Sequence, residues 1–250
     1  MSRQNNIGTV GPRPKKLFRM LVPAIGVLVL IPLAGCGFFA DAGPKTTEQR
    51  SIAGITAVRL MTSGDLTVTT GETPTLTITA GANQLPELTS EIQDGTLILD
   101  NTSDLPRGAE ISYALTVPSL RSLELSGSGS AHGTDVLTGD AVVASSGSGD
   151  VQLSGIAVPS IAIDLSGSGA VEITGSATTQ HVTASGSGDY NGAGLTTEDT
   201  DVDVSGSGTA RVNVSGRLTA EASGSGSITY TGNPATVRTT STGSGSIGQE

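Results

Sequence analysis

The sequence predicts an all-β protein, a parallel β-solenoid of about seven rungs of 18–20 residues behind an irregular β cap. Three observations carry this. A Ser/Thr-Gly-Ser-Gly motif recurs seven times, its first glycines being Gly127, Gly147, Gly167, Gly186, Gly206, Gly224 and Gly243. Apolar and polar residues alternate at period two on both sides of each motif, as in half-buried strands. The glycine density, 35 in 250 residues, argues against helices. A unit of this length cannot bury a core alone and must stack on its neighbours.

Taken from the N-terminus, residues 1–36 read as an export signal. Arg3, Arg13, Lys15, Lys16 and Arg19 form a basic leader, and an apolar run from Met20 to Leu33 follows, about the length of a signal core. The run ends in Leu33, Ala34, Gly35 and Cys36, which resembles the bacterial lipobox; that resemblance implies lipidation of Cys36 as the first mature residue. Cys36 is the only cysteine, which excludes an intrachain disulfide. The chain is therefore expected to be lipid-anchored to a membrane, on the extracytoplasmic side of a bacterial cell envelope. Residues 37–50 are read as a tether, with Phe38 and Phe39 dipping into the membrane interface.

Residues 51–118 lack the glycine period and are read as the N-terminal β cap of the solenoid. Strands are expected near 55–61, 65–70, 75–79, 89–93, 96–100 and 110–117, with a short turn or helix around 83–88. Ser63-Gly64-Asp65 reads as a degenerate first corner. The cap would protect one end of the stack from edge-to-edge growth.

Residues 119–250 hold the repeats, and 51–250 together make one domain. Four positions before each first glycine stand Leu123, Val143, Ile163, Val182, Val202, Ala220 and Thr239; four after it stand Ala131, Val151, Val171, Tyr190, Ala210, Ile228 and Ile247. These are read as the inward faces of two strands meeting at a corner. At a strand spacing of roughly 4.8 Å, seven rungs give a rod of about 34 Å. The serines before each first glycine are expected to stack as a hydroxyl ladder. Those after it, Ser128, Ser148, Ser168, Ser187, Ser207 and Ser225, form a candidate ligand strip. The last rung breaks off at Ile247-Gly248-Gln249-Glu250 with no cap visible, which predicts an exposed edge.

The opening strand pair with Ser63-Gly64-Asp65, the Asp94-Gly95-Thr96-Leu97 hairpin, Val117-Pro118-Ser119-Leu120 and the serial Ser-Gly-Ser-Gly corners together resemble the bacterial head GIN domain of auto-transporter adhesins. The resemblance covers about residues 55–248. It implies a right-handed β-helix-like fold on exported, often lipidated proteins, and an adhesin-like role. It supplies no catalytic motif.

Composition narrows the function. Five of the 13 Lys and Arg precede Cys36 and none of the 23 Asp and Glu does, so the mature chain has 8 basic against 23 acidic residues, a net −15. That balance argues against nucleic acid, whose binding needs clustered cations. After Phe39 the only aromatics are Tyr113, Tyr190 and Tyr230, too few for the stacking platforms of a conventional sugar cleft. Glu124, Asp164, Asp203 and Glu221 fall on one outward column; Asp203 and Glu221, on adjacent rungs, are a weak candidate Ca²⁺ pair and otherwise solvated charge. Asp150 and Asp189 follow the corner motif directly and carry a faint Ca²⁺-repeat signal. His132 and His181 lie on non-adjacent rungs, with no serine set apart beside them for a triad. No cofactor is expected and the chain is read as no enzyme. It is read as an adhesin-like binding module whose ligand the sequence does not name, with envelope or host glycan and a protein partner as the candidates, or alternatively as a structural or regulatory envelope protein docking a protein partner at its open edge.

Overall fold

A computed structural model describes residues 42–103, 105 and 109–250. The signal segment, Leu33 to Cys36, Phe38 and Phe39 lie outside the described residues.

The described residues form one 17-stranded β structure with a single 3-10 turn, Leu85–Glu87. The cap region contains β1 (Lys45–Ser51), β2 (Ala57–Leu60), β3 (Asp65–Thr70), β4 (Thr75–Gly81), β5 (Leu88–Gln93), β6 (Thr96–Asn101) and β7 (Ser112–Val117). The repeats contain β8 (Leu120–Leu125), β9 (Ala131–Thr134), β10 (Leu137–Ser145), β11 (Val151–Leu165), β12 (Ala170–Ala184), β13 (Asp189–Val204), β14 (Thr209–Ala222), β15 (Ser227–Gly232), β16 (Thr236–Ser241) and β17 (Ser246–Gln249).

Two parallel ladders run the length of the stack. One carries β6, β2, β8, β10 and then the C-terminal parts of β11 to β14, ending in β16. The other carries β7, β3 and β9, then the N-terminal parts of β11 to β14, then β15 and β17. In the long strands a register shift between the two ladders, as between Leu153 and Ile156, bends the chain into a further side. Seven motif corners, stacked in turn, are separated by six turns, so the solenoid has about six full turns where about seven rungs are expected.

The register is the one the sequence alignment predicts. Ala131, Val151, Val171, Tyr190, Ala210, Ile228 and Ile247 are successive partners. All but Ile247 are buried, and with the opposite inward column they form one continuous core. Removing each such side chain from water contributes about 1.5–3 kcal/mol for the larger aliphatics, which suffices to hold strands that no helix covers.

The corner glycines are required by stacking. A Cβ on Gly147 would lie 1.8 Å from Gly127 O, and one on Gly167 would lie 1.9 Å from Gly147 O. The corner backbone fills the space where a side chain would go. Gly64 belongs to the same file, since a Cβ on Gly129 would lie 1.9 Å from its carbonyl oxygen; Ser63-Gly64-Asp65 is the first corner. The serine hydroxyls do not form the expected ladder. Rungs are tied at the corners by backbone bonds such as Ser168 N to Gly147 O at 3.0 Å, while Ser126 Oγ is buried without a partner. Ser185 Oγ donates instead to Leu165 O at 3.4 Å, and Ser146, Ser166, Ser205 and Ser223 are exposed.

The cap departs from chain order. β6 and β7 stack beneath β2 and β3, on the side away from the repeats, although they come later in sequence. Their outer edges are covered by antiparallel β5 and β4, so the stacked parallel strands are not themselves the edge at that end, and β5 and β1 are its outermost strands. β1 adds to the far side of β4 from Lys45–Gly81 to Ser51–Thr75. Part of the expected tether, residues 45–50, is thus a sheet strand; its Thr46 is buried and its register is set by contacts about 30 residues away. At the opposite end β16 pairs with β14 alone and β17 with β15 alone. The inward positions of that rung, Thr239 and Ser241, are polar, as suits a terminal repeat that faces water.

Candidate functional site

Three surfaces of the rod bear polar groups in a repeated geometry. The first is the corner ridge. Ser128, Ser148, Ser168, Ser187, Ser207 and Ser225 are all exposed, one per rung. The amides of Ser148, Ser168, Ser187, Ser207 and Ser225 donate to a glycine carbonyl of the rung below, which holds the ridge in register.

The second is the outward acidic column. Its register runs Arg59, Glu124, Ala144, Asp164, Thr183, Asp203, Glu221. Asp203 and Glu221 are direct rung partners, as expected, and His181 lies beside Asp201. No group of three or more His, Cys, Asp or Glu suited to a metal ion gathers among the described residues. Glu124 is not without a cation: it accepts from Arg59 Nε at 2.7 Å. Sequence distance hides this contact, because Arg59 enters from the cap, 65 residues away.

The third surface begins at Asp65. Its carboxylate Oδ1 accepts from Ser130 N at 3.2 Å and from Ser130 Oγ at 2.7 Å. The same device recurs: Asp150 Oδ1 accepts from Ala170 N at 2.8 Å, and Asp189 Oδ1 from Thr209 N at 2.9 Å. An Asp directly after the corner therefore staples its strand to the next rung. The faint Ca²⁺ signal at Asp150 and Asp189 has a structural cause, the need to pair the first strand amide of the following rung.

Ser130 Oγ also lies 3.2 Å from His132 Nε2. Its single proton goes to Asp65, so it accepts from the imidazole, which fixes Nε2–H. This order, Asp–Ser–His with serine in the middle, is the reverse of a hydrolytic triad, in which histidine bridges. This arrangement orients His132 and does not activate Ser130 as a nucleophile. Residue spacing shows His132 two positions from Ser130, but only the stacking of β3 on β9 brings Asp65 to them.

A buried polar cluster sits in the core beneath the middle rungs. Gln180 donates from Nε2 to Tyr190 OH and accepts at Oε1 from Thr200 Oγ1 at 3.3 Å; Thr200 meets Thr197, whose hydroxyl donates to Asn213 O at 2.9 Å. Gly192 makes room for the phenol, since a Cβ there would lie 2.5 Å from Tyr190 OH. Burial pushes the Tyr190 phenol well above its ordinary 10.0, more than the bond from Gln180 lowers it. Tyr113 is likewise raised by burial, against the lowering bond from Thr62.

For both phenols the folded pKa exceeds the unfolded value of about 10. Their contribution to stability is complete below about pH 10 and is lost as pH rises through the folded values, because the unfolded chain releases the proton first. Thermal midpoints should fall steadily above about pH 10, and Tyr190→Phe should flatten that fall. A midpoint independent of pH in the range of about 10 to 12 would show the phenols to be accessible.

Similar solved structures share the whole fold. A putative adhesin from Bacteroides fragilis NCTC 9343 is 22% identical, with a TM-score of 0.77, covering 82% of this chain and 97% of its own. A putative lipid binding protein from Parabacteroides distasonis ATCC 8503 is 22% identical, with a TM-score of 0.66 over 82% of this chain and 96% of its own. A putative adhesin from the same organism is 21% identical, with a TM-score of 0.63 over 84% and 98%. No curated protein matches the chain. A family model does match, over residues 55–234, from the cap strand β2 to the end of β15 and just beyond. With its corners, its cap and its stacked register accounted for, the chain belongs to the family described as "Putative auto-transporter adhesin, head GIN domain".

Proposed function

We propose that the protein is a lipid-anchored, extracytoplasmic, non-enzymatic binding module of the adhesin type, which takes an envelope or host glycan. The observation that carries this is the exposed file of corner serines, held in register by their backbone amides. Hydroxyls repeated about every 4.8 Å offer a polymer several weak bonds at once. The family assignment and the adhesin names of the similar structures support the reading. Anchoring at Cys36 would place the membrane at the capped end, where β1 starts at Lys45, and point the repeat end outward.

The test is glycan-array binding of the full chain in detergent, wild type against the triple variant Ser128→Ala, Ser148→Ala, Ser168→Ala. Binding should fall by about tenfold, the equivalent of about 1.4 kcal/mol. A correctly folded triple variant that binds like wild type removes the ridge as the site. The unpaired edges of β16 and β17 would then favour the second reading, a protein partner docked by strand addition.

A further inference from the structure

β3 and β9 pair only from Leu66–Ala131 to Val68–Gly133. Beyond that point they part. β3 continues to Thr70 against β7, while the chain after β9 turns away at Asp135, whose φ of 56° is left-handed. The parting opens a cleft of about 350 Å³ lined by Thr67, Val68, Thr69, Thr70, His132, Gly133, Thr134 and Asp135. That volume lies within the range of small-molecule sites, at its lower end.

The lining is chemically one-sided. It offers four threonine hydroxyls, each able to donate and accept, and two groups suited to accepting: the Asp135 carboxylate and the imidazole of His132. Nε2 of that ring is tied through Ser130 to Asp65, which leaves Nδ1 as its acceptor. Thr69 is steadied by Thr116 at 3.2 Å and Thr134 by Ser154 at 2.8 Å. The Asp135 amide donates to Ser154 O at 2.9 Å, while its carboxylate, packed beside Gly155 of the next rung, makes no hydrogen bond or ion pair among the described residues. The lining contains no Lys or Arg and no Phe, Tyr or Trp. A ligand matched to this set carries several hydroxyl donors at close spacing and no negative charge.

We infer that the cleft between β3 and β9 binds one neutral sugar residue, its vicinal hydroxyls donating to Asp135 and His132 and exchanging bonds with Thr67, Thr69, Thr70 and Thr134. The inference rests on the glycan-binding reading above and adds to it a single-residue site separate from the corner ridge. The ridge would hold a polymer along the rod, and the cleft would select the sugar at one point near the cap. An acidic sugar is rejected, because its carboxylate would face Asp135 with no cation to offset it.

The test is saturation-transfer NMR and calorimetry on the full chain in detergent, with methyl mannoside, methyl galactoside and N-acetylglucosamine as probes and glucuronate as the charged control. At least one neutral probe should bind saturably, with glucuronate at least tenfold weaker. Asp135→Asn retains a residue that tolerates the left-handed backbone and removes only the charge. It should weaken the neutral probe at least tenfold at an unchanged unfolding midpoint, and Thr69→Val with Thr134→Val should do the same. The Ser128, Ser148, Ser168 triple variant should bind the monosaccharide as wild type does. Glucuronate binding equal to the neutral probes, or full affinity in Asp135→Asn, overturns the cleft. Polymer binding that survives while every monosaccharide fails overturns the cleft and leaves the ridge reading standing. Failure of polymers and monosaccharides alike overturns both.

Discussion

Gly167→Ala should be among the most damaging single substitutions in this chain, costing about 4 kcal/mol or more. The added methyl would sit 1.9 Å from Gly147 O and 2.9 Å from the carbonyl carbons of Gly147 and Ser146. All three atoms belong to the backbone of the rung below, so no rotamer change can relieve the contact. Relief requires opening the rung spacing, which breaks Ser168 N to Gly147 O and Ser166 N to Ser145 O. In a quasi-one-dimensional stack the damage falls on the interface between two neighbours. Hydrogen exchange should therefore show early loss of protection at Ser166 and Ser168, with the cap strands β2 to β7 still protected. Gly248→Ala is the matched control. A Cβ there meets nothing within 4 Å, and the change should stay within about 0.5 kcal/mol. Equal midpoints for the two variants would mean that the corners can spread freely and that stacking does not select glycine.

Leu165→Ala should cost about 3–5 kcal/mol, the upper part of the range for buried Leu-to-Ala changes. Leu165 is 3% exposed and is the rung partner of Ser145 on one side and Ala184 on the other. Both neighbours are small, so Leu165 fills volume that they leave. Truncation would place three small side chains in succession along the rod axis. The long strands on either side are held in register by six ladder pairs on one side, from Asp140–Ser160 to Ser145–Leu165, and cannot collapse into the gap independently. Chemical denaturation of wild type and variant at constant m-value measures the loss. A cost below about 1 kcal/mol would show that the rungs do shift to refill the space.

Most of the repeat region was legible because its contacts recur at the repeat length. A residue in β12 touches the residue 19 or 20 positions on in β13, so alignment of the motifs is already the register; Val182 with Val202 and Thr183 with Asp203 are examples. The alternation of apolar and polar residues set which face was buried, and Gly64 could be read as a corner from its flanking residues. The cap strands were placed to within about two residues by their own patterning. What the chain could not show was how the cap strands are ordered in space. No period links Arg59 to Glu124, Asp65 to Ser130, or β1 to β4, so nothing local announces those contacts. The oriented His132 and the cleft beside it exist only because β3 stacks on β9 for three pairs and then departs from it.

The sequence by itself determined the solenoid, its rung length, its inward and outward faces and its glycine corners. Each of these follows from short-range periodicity and from the steric demand that a stacked backbone makes on one residue. The tertiary structure alone decided the insertion of β6 and β7 beneath β2 and β3, the strand made from residues 45–51, the staple from Asp65 to Ser130 and the polar cleft. These depend on pairings between segments about 30 to 65 residues apart that share no repeat, where the choice among partners is made by burial of the whole cap.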